Sequence, residues 1–262
     1  MEIPSRIYKY QPPTRPALSN LEAGGFWCSD PSTFNDPFDC DEEFIKKIVS
    51  SSPGEIYYDA IMNFDDAEIM EHAFDIVAAE KIEGEDFSPA ETYARSRFAK
   101  CKGVACFSER RDELLMWGHY AAGHSGFCLE FDTSCDPFKN QLLQVIYETK
   151  MPTRQALAKK LGTPFNVTSF LLVKAKEWKY EKEWRLLRER SNELVAYPRE
   201  ALTAIYFGAK ISPDDRRRIT SAVKHSNTKL FQFQMSNNTF KLEEAMPNSA
   251  ARGGSDVALN VG

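Results

Sequence analysis

The sequence lacks any apolar run that approaches the roughly 18 residues needed to cross a membrane. Its first six residues, ending at Arg6, contain no apolar core of a secretion signal. The six cysteines form no C-x-x-C pair, and the four histidines form no H-E-x-x-H pattern. These absences predict a cytoplasmic protein with reduced thiols, no membrane partner and no bound metal.

Several common functional motifs are also missing. The sequence contains no G-x-S-x-G elbow, no P-loop and no G-x-G-x-x-G loop. The formal net charge of −5 argues against a protein that coats nucleic acid through bulk positive charge. Any function must therefore be sought in less common local motifs.

The net charge is unevenly distributed along the 262 residues. Residues 41–91 contain fifteen acidic side chains and three lysines, which leaves the rest of the chain with a charge of +7. In one interpretation, the acidic residues simply form solvated helix faces. The alternative is that the basic remainder of the chain contains the functional surface and binds a phosphate-bearing ligand. Both interpretations remain open at this point.

Hydrophobic periodicity predicts a single α+β domain over residues 1–246, with an acidic helical insert at 41–100. The Gly/Ser/Ala-rich tail at 247–262 is expected to be disordered. Strands and helices are expected at the following places: strands at 7–10, 25–28, 103–107, 126–131, 144–147, 180–187, 204–208, 229–235 and 238–243, and helices at 112–121, 152–178 and 213–225.

The pair Glu181 and Glu183 carries the most chemical information. If both lie in a strand, they point to the same face, and Arg185 extends that row. Two adjacent carboxylates raise the pKa of one of them or require a cation. The alternative is an exposed strand edge in which Lys182 and Arg185 form salt bridges.

Two further clusters contain candidate binding residues. Asn35 and Asp36 belong to a loop with two Asp-Pro steps, which is also typical of a turn closed by side-chain hydrogen bonds. Trp117, His119 and Tyr120 lie on a predicted helix, where a histidine often serves only the core.

Several motifs, taken in order, resemble a bacterial family catalogued as domain-of-unknown-function family 2971. They cover residues 6–210 apart from the acidic insert. The matching segments are YKY at 8–10, FWCSDPSTFNDPFD at 26–39, CFSE at 106–109, LMWGHYA at 115–121, GFCLEFD at 126–132, YEKEWR at 180–185 and IYFG at 205–208.

Members of this family look like distant relatives of ADP-ribosyltransferases. That resemblance implies a split pair of small mixed or antiparallel sheets around an NAD cleft, and a role in bacterial stress, phage defence or toxin biology. It places Lys9 where those enzymes have His or Arg, Ser29 near their second motif, and Glu181 and Glu183 at the late acidic motif. Lys9 keeps the positive charge there without the planar geometry of Arg.

The implied activity is cleavage of the nicotinamide–ribose bond of NAD, a substrate here, with transfer to a protein, a nucleic acid or water. Glu183 would stabilise the positive charge that develops on the sugar, and Glu181 would orient the acceptor. The candidate NAD-binding residues are Lys9, Tyr10, Trp27, Ser29, Asn35, Asp36, Trp117, His119, Tyr120 and Arg185.

Two other functions compete with this one. Asp132, Glu177 and Lys179 could form a carboxylate-plus-lysine site for Mg²⁺ in a nuclease. Alternatively, the chain could be a non-enzymatic sensor or immunity module that binds a nucleotide or a partner protein in the same cleft.

Overall fold

The computed structural model of the chain describes residues 2–40, 103–162 and 167–245. The helical insert predicted at 41–100 and the tail predicted from residue 247 lie outside these residues. Among the described helices, none combines the length and the apolar character needed to span a membrane.

The described residues form twelve strands, four α-helices and four short 3-10 turns. The strands are β1 Arg6–Gln11, β2 Gly25–Cys28, β3 Gly103–Ser108, β4 Phe127–Asp132, β5 Leu142–Gln144, β6 Ile146–Glu148, β7 Val173–Ala175, β8 Glu183–Arg188, β9 Glu193–Ala196, β10 Leu202–Phe207, β11 Lys229–Met235 and β12 Leu242–Glu244. The helices are α1 Arg15–Glu22, α2 Leu114–Tyr120, α3 Arg154–Leu161 and α4 Pro213–Ala222. The 3-10 turns are Pro31–Thr33, Val167–Leu172, Lys176–Glu181 and Arg199–Ala201.

Eight of these strands lie in one mixed sheet of order β12-β11-β10-β4-β1-β3-β8-β5. The pair β10 and β11 is parallel and the other neighbours are antiparallel. Strands β2 and β9 form one two-stranded sheet, and β6 and β7 form another. The fold is therefore mixed α/β with a large sheet. The described strands do not form the expected pair of small sheets, because β1 pairs with both β3 and β4 and joins the two halves.

Two hydrophobic clusters hold this arrangement together. Side chains alternate along β1, so Ile7 enters the cluster that contains Phe107 and Phe131, whereas Tyr10 enters the cluster around Trp117. Helix α1, which the sequence pattern did not predict, packs its buried residues onto the first cluster. Its first turn is capped by the hydroxyl of Thr14, which accepts a hydrogen bond from the backbone N–H of residue 17.

The region from 142 to 187 differs most from the sequence-based expectation. The helix predicted over 152–178 ends as α3 at Leu161, and the left-handed Gly162 (φ 68°) closes it. The later part of that segment forms 3-10 turns and β7, which pairs with β6. The strand predicted at 144–147 is divided at Val145, whose N–H donates to the carbonyl of Glu183. Tertiary pairing therefore overrides the local helical pattern here.

Candidate functional site

A cavity of about 190 Å³ lies between β1, β3 and the segment that leads from β7 into β8. Its wall is made of aromatic rings and a small number of charged and polar side chains. The lining residues are Tyr8, Lys9, Tyr10, Ser29, Phe34, Asn35, Asp39, Val104, Cys106, Phe107, Met116, Tyr120, Lys174, Glu181 and Glu183.

Lys174 is the centre of a buried charged cluster on one wall of this cavity. Its Nζ lies 2.6 Å from Glu181 Oε2, 2.9 Å from Glu183 Oε2 and 3.5 Å from Asp39 Oδ2. The side chain is only 5% exposed. Burial alone would lower the pKa of Lys174, but the three carboxylates outweigh it and raise the pKa above its ordinary value. The three carboxylates therefore favour the protonated form of this lysine.

Arg185 is the second cation of the cluster and is completely buried. Its Nε donates to Glu183 Oε1 at 2.7 Å, and its Nη2 donates to Asp39 Oδ2 at 2.6 Å. Its Nη1 donates to the carbonyl of Leu171 and to the sulfur of Cys40. The guanidinium thus ties the start of β8 to the loop around Asp39 and Cys40. The alternative of an exposed strand edge is wrong, because the row is buried.

The backbone around Lys182 directs both glutamates towards Lys174. The strand begins at Glu183, so the prediction that both glutamates lie within it is wrong: Glu181 ends a 3-10 turn. Between them Lys182 adopts a left-handed conformation with φ of 44°, which is uncommon for a residue other than glycine. The hydroxyl of Ser108 donates to the carbonyl of Glu181, and the N–H of Glu183 donates to the hydroxyl of Tyr147 at 2.8 Å. These bonds hold the turn in place.

The two glutamates have opposite electrostatic environments. For Glu183, burial opposes ionisation, but the nearby Arg185 and Lys174 outweigh it and hold its pKa well below the ordinary value. For Glu181, burial dominates and raises the pKa, although Lys174 and the hydroxyl of Tyr120, 2.7 Å from Oε1, favour the ionised form. The pKa values of the two carboxyl groups are therefore shifted in opposite directions, down for Glu183 and up for Glu181.

Lys9 occupies a different part of the cavity wall. Its Nζ donates to the carbonyl of Cys106 at 3.1 Å and lies 5.0 Å from the centre of the Phe107 ring. Burial lowers the pKa of Lys9, and the thiols of Cys106 and Cys28 and the more distant Glu183 oppose this. Within the described part of the chain, no carboxylate forms an ion pair with Lys9. The cavity therefore combines a carboxylate pair with one separate amino group.

The structure brings together many of the residues predicted from the sequence. The predicted residues that line the cavity are Lys9, Tyr10, Ser29, Asn35, Tyr120, Glu181 and Glu183. Arg185 does not line the cavity itself and contacts two residues that do, Glu183 and Asp39. Tyr10 contributes one wall with its ring packed edge-on against Trp117, and its hydroxyl donates to the carbonyl of Arg110.

Besides Arg185, four predicted residues are not part of the cavity wall. Trp27 lies on β2, is 40% exposed and is paired with β9. Trp117 is fully buried in the second hydrophobic cluster, where its Nε1 donates to the carbonyl of Arg111. Asp36 caps its own loop by accepting the N–H of residue 38, which matches the interpretation of this loop as a turn. His119 is exposed, and its ring lies 5.9 Å from that of Trp178.

Sequence reasoning missed two members of the charged cluster. Lys174 lies inside the helix predicted over 152–178, and Asp39 belongs to the candidate loop of Asn35 and Asp36 without a predicted binding role. A signal for Lys174 was available, because it follows the apolar run FLLV at 170–173, where a lysine is rarely buried without partners. Asp39 gave no comparable signal, since its contact with Arg185 spans 146 positions.

The residues proposed for a metal-dependent nuclease do not form a cluster with other acidic groups. The carboxylate of Asp132 accepts hydrogen bonds from Ser134 and pairs with Arg6 at 2.8 Å. Glu177 is exposed on a 3-10 turn. In the part of the chain that the structure describes, no group of three His, Cys, Asp or Glu side chains is arranged to hold a metal ion.

Fold and site together define a mixed α/β protein in which a buried cluster of three carboxylates and two cations borders a small cavity. Residues 116–186 match the model of a family described as protein of unknown function (DUF2971). The matched segment contains Tyr120, Lys174, Glu181, Glu183 and Arg185. No curated protein and no solved structure matches the chain. The further likeness to ADP-ribosyltransferases therefore rests on the sequence motifs alone.

Proposed function

We propose that the cavity binds the nicotinamide–ribose part of NAD and that the protein cleaves the bond between them. The observation that carries this proposal is the charge arrangement of the cavity: a carboxylate pair on one wall and Lys9 on another. The nicotinamide ring of NAD is cationic and its pyrophosphate is anionic. A cavity with separated charges of both signs suits both parts of that substrate.

The size of the cavity limits what it can enclose. Its volume of about 190 Å³ is below the ~300–1,000 Å³ of pockets that enclose a whole drug-sized ligand. It can therefore hold one end of a dinucleotide, while the adenosine end lies outside. Tyr8, Tyr10 and Phe34 offer aromatic surface for the nicotinamide ring.

The two glutamates suit different steps of the reaction. As the glycosidic bond breaks, its electron pair leaves with nicotinamide and positive charge develops on the sugar. The ionised Glu183 would stabilise that charge. Glu181, whose pKa is raised, would accept the proton of the incoming water or acceptor hydroxyl. With water, the products are nicotinamide, ADP-ribose and one proton.

A second candidate is a binding module without catalysis, and a specific observation favours it. Both carboxylates of the pair are already engaged: Lys174 and Tyr120 donate to Glu181, and Lys174 and Arg185 donate to Glu183. A carboxylate held in this way stabilises new positive charge less than a free one does. In such a module the cluster would stabilise the cavity, and the ligand would bind without reacting.

Incubation with NAD, followed by mass spectrometry of small molecules and of the protein, separates the two candidates. Free nicotinamide together with ADP-ribose indicates hydrolysis, and a mass gain on the protein or an added acceptor indicates transfer. A raised melting temperature with NAD, without loss of NAD, would support the binding module and reject catalysis. If NAD neither raises the melting temperature nor is consumed, both functions are rejected.

A further inference from the structure

A second concavity, of about 660 Å³, lies over one face of the large sheet, across β1, β4, β10 and β11. The strand register explains which side chains meet there: Glu130 is opposite Ala204, and Ala204 is opposite Lys229. A β-bulge between residues 202 and 204 brings the hydroxyl of Thr203 onto Glu130 Oε1 at 2.7 Å. We call this concavity the sheet-face groove.

Positive charge prevails in the sheet-face groove. Four cationic side chains line it, against the two carboxylates Glu130 and Glu200; the cations are Arg6, Arg111, Arg199 and Lys229. Arg6 pairs with Asp132 at 2.8 Å, and Arg111 pairs with Glu244 at 2.7 Å. In the described ranges no carboxylate forms an ion pair with Arg199 or Lys229. Both are exposed at the groove and available to an anion.

Two aromatic rings lie beside these cations. Tyr206 and Phe231 are opposite each other on neighbouring strands, with ring centroids 5.0 Å apart and planes at 13°. The Tyr206 hydroxyl donates to Glu130 Oε2 at 2.8 Å, and the guanidinium of Arg111 lies 4.7 Å from the centre of its ring. Tyr206 is thereby fixed in place. Phe231 is only half-buried and offers apolar surface to a ligand.

We propose that the sheet-face groove binds a nucleotide, with its base packed on Phe231 and its phosphate held by Arg199 and Lys229. Flat rings beside unpaired cations are the combination that binds bases and phosphates without sequence preference. Glu130 accepts two hydroxyl hydrogen bonds and lies 3.8 Å from each of two arginines, so its charge is balanced within the groove. The volume falls within the ~300–1,000 Å³ range of small-molecule sites.

The nucleotide can be free or part of a single strand, because both present the same base and phosphate. A double helix is disfavoured, since its bases are stacked and cannot lie on Phe231. This second site is independent of NAD cleavage: apart from the aromatic surface near Tyr8, whose ring lies 6.3 Å from Tyr206, the cavity and the groove have separate linings.

The test is fluorescence anisotropy of the full chain with a labelled eight-nucleotide oligouridine, with AMP and inorganic phosphate as competitors. The double variant Arg199→Ser/Lys229→Gln should weaken binding at least tenfold. Each lost phosphate contact lowers the slope of log K against log salt by about 0.7 for single strands, so the salt dependence should become flatter. Phe231→Leu should weaken binding and leave the slope unchanged.

The matched control is Arg217→Gln/Arg218→Gln, which removes the same charge from exposed positions of α4 outside the groove. It should bind like the wild type, and an equal loss in this control would overturn the proposal.

Competition by AMP but not by phosphate supports a free nucleotide, and strand binding that AMP does not displace supports a single strand. The proposal would be overturned if inorganic phosphate displaced the labelled strand as well as AMP does, or if the protein did not bind the strand or AMP at all. NAD cleavage, where present, should be unchanged in the double variant Arg199→Ser/Lys229→Gln. Failure of the groove proposal can therefore be distinguished from failure of the proposed NAD cleavage.

Discussion

Lys174 and Glu183 lie nine positions apart, on different strands, with Nζ and Oε2 only 2.9 Å apart in a buried setting. The same ammonium also contacts Glu181 and Asp39. A single cation therefore contacts carboxylates from two distant parts of the chain, the loop at Asp39 and the turn that leads into β8. The wall of the cavity depends on these contacts, because each carboxylate would otherwise be buried beside like charges.

The first prediction concerns removal of this cation. Lys174→Met should lower the free energy of unfolding by about 3–5 kcal/mol, because it leaves Glu181 without its buried cation and the other two carboxylates with Arg185 alone. Chemical denaturation monitored by circular dichroism measures the change. The control is Lys182→Met, which removes an exposed lysine whose nearest carboxylate is 3.6 Å away, and it should cost less than about 1 kcal/mol. Equal effects of the two variants would contradict the role of Lys174.

The second prediction concerns the shape of the other cation. Arg185→Lys keeps the charge but cannot reach Glu183, Asp39 and the carbonyl of Leu171 from one planar group. Loss of a charged hydrogen bond in this buried place should cost about 2–3 kcal/mol of unfolding free energy. Arg190→Lys at an exposed position is the control and should be nearly neutral. A stable Arg185→Lys protein would mean that charge alone suffices.

The third prediction is a pH dependence of stability. Because the pKa of Glu183 is lowered by folding, its contribution is present above the ordinary glutamate pKa of 4.5 and is lost as the pH falls through the lowered value. Between pH 7 and pH 3, the wild type should therefore lose more stability than Glu183→Gln, which has no carboxyl group to titrate there. Denaturation series at several pH values measure this difference. Parallel curves for the two proteins would contradict the assigned environment of Glu183.

The fourth prediction concerns the pH dependence of NAD cleavage. If Glu181 accepts the proton, activity should rise with pH as Glu181 ionises, above the range of an ordinary glutamate. The hydroxyl of Tyr120 favours the ionised form of Glu181. Tyr120→Phe should therefore move the acid limb of the pH–rate profile to higher pH. Tyr197→Phe is the control, because the buried Tyr197 hydroxyl has no hydrogen-bond partner among the described residues and its ring packs in the first hydrophobic cluster. An unmoved limb in Tyr120→Phe would exclude Glu181 as the proton acceptor.

Much of the large sheet could be predicted from residue patterns. Strands such as β1, β4 and β10 carry alternating or continuous apolar residues, and their observed limits lie within a few positions of the expected ones. The helix α4 was also expected, because Ser212 followed by a proline is typical of a helix start. Such signals are local, so they predict a strand or helix without knowledge of the elements against which it packs.

The remainder could not be predicted because distant contacts determine it. The segment from Val173 to Glu181 has the composition of a helix, yet β7 pairs with β6 and the following turn directs Glu181 onto Lys174. Strand β9 exists because it pairs with β2, more than 160 positions away. For the site, the sequence identified Glu181 and Glu183 as a pair with Arg185 in the same row, but Lys174 and Asp39 meet them only in the folded chain.

The most direct test of the central claim is the first-order rate of NAD loss in wild type and in Glu183→Gln, with Glu189→Gln as the exposed control. All three proteins are first checked for cooperative unfolding. The account predicts nicotinamide release by the wild type and by Glu189→Gln, and a rate at least a hundredfold lower in folded Glu183→Gln, as for the loss of a major electrostatic group in a transition state. Equal rates in Glu183→Gln and the wild type, or no NAD loss by the wild type, would contradict it.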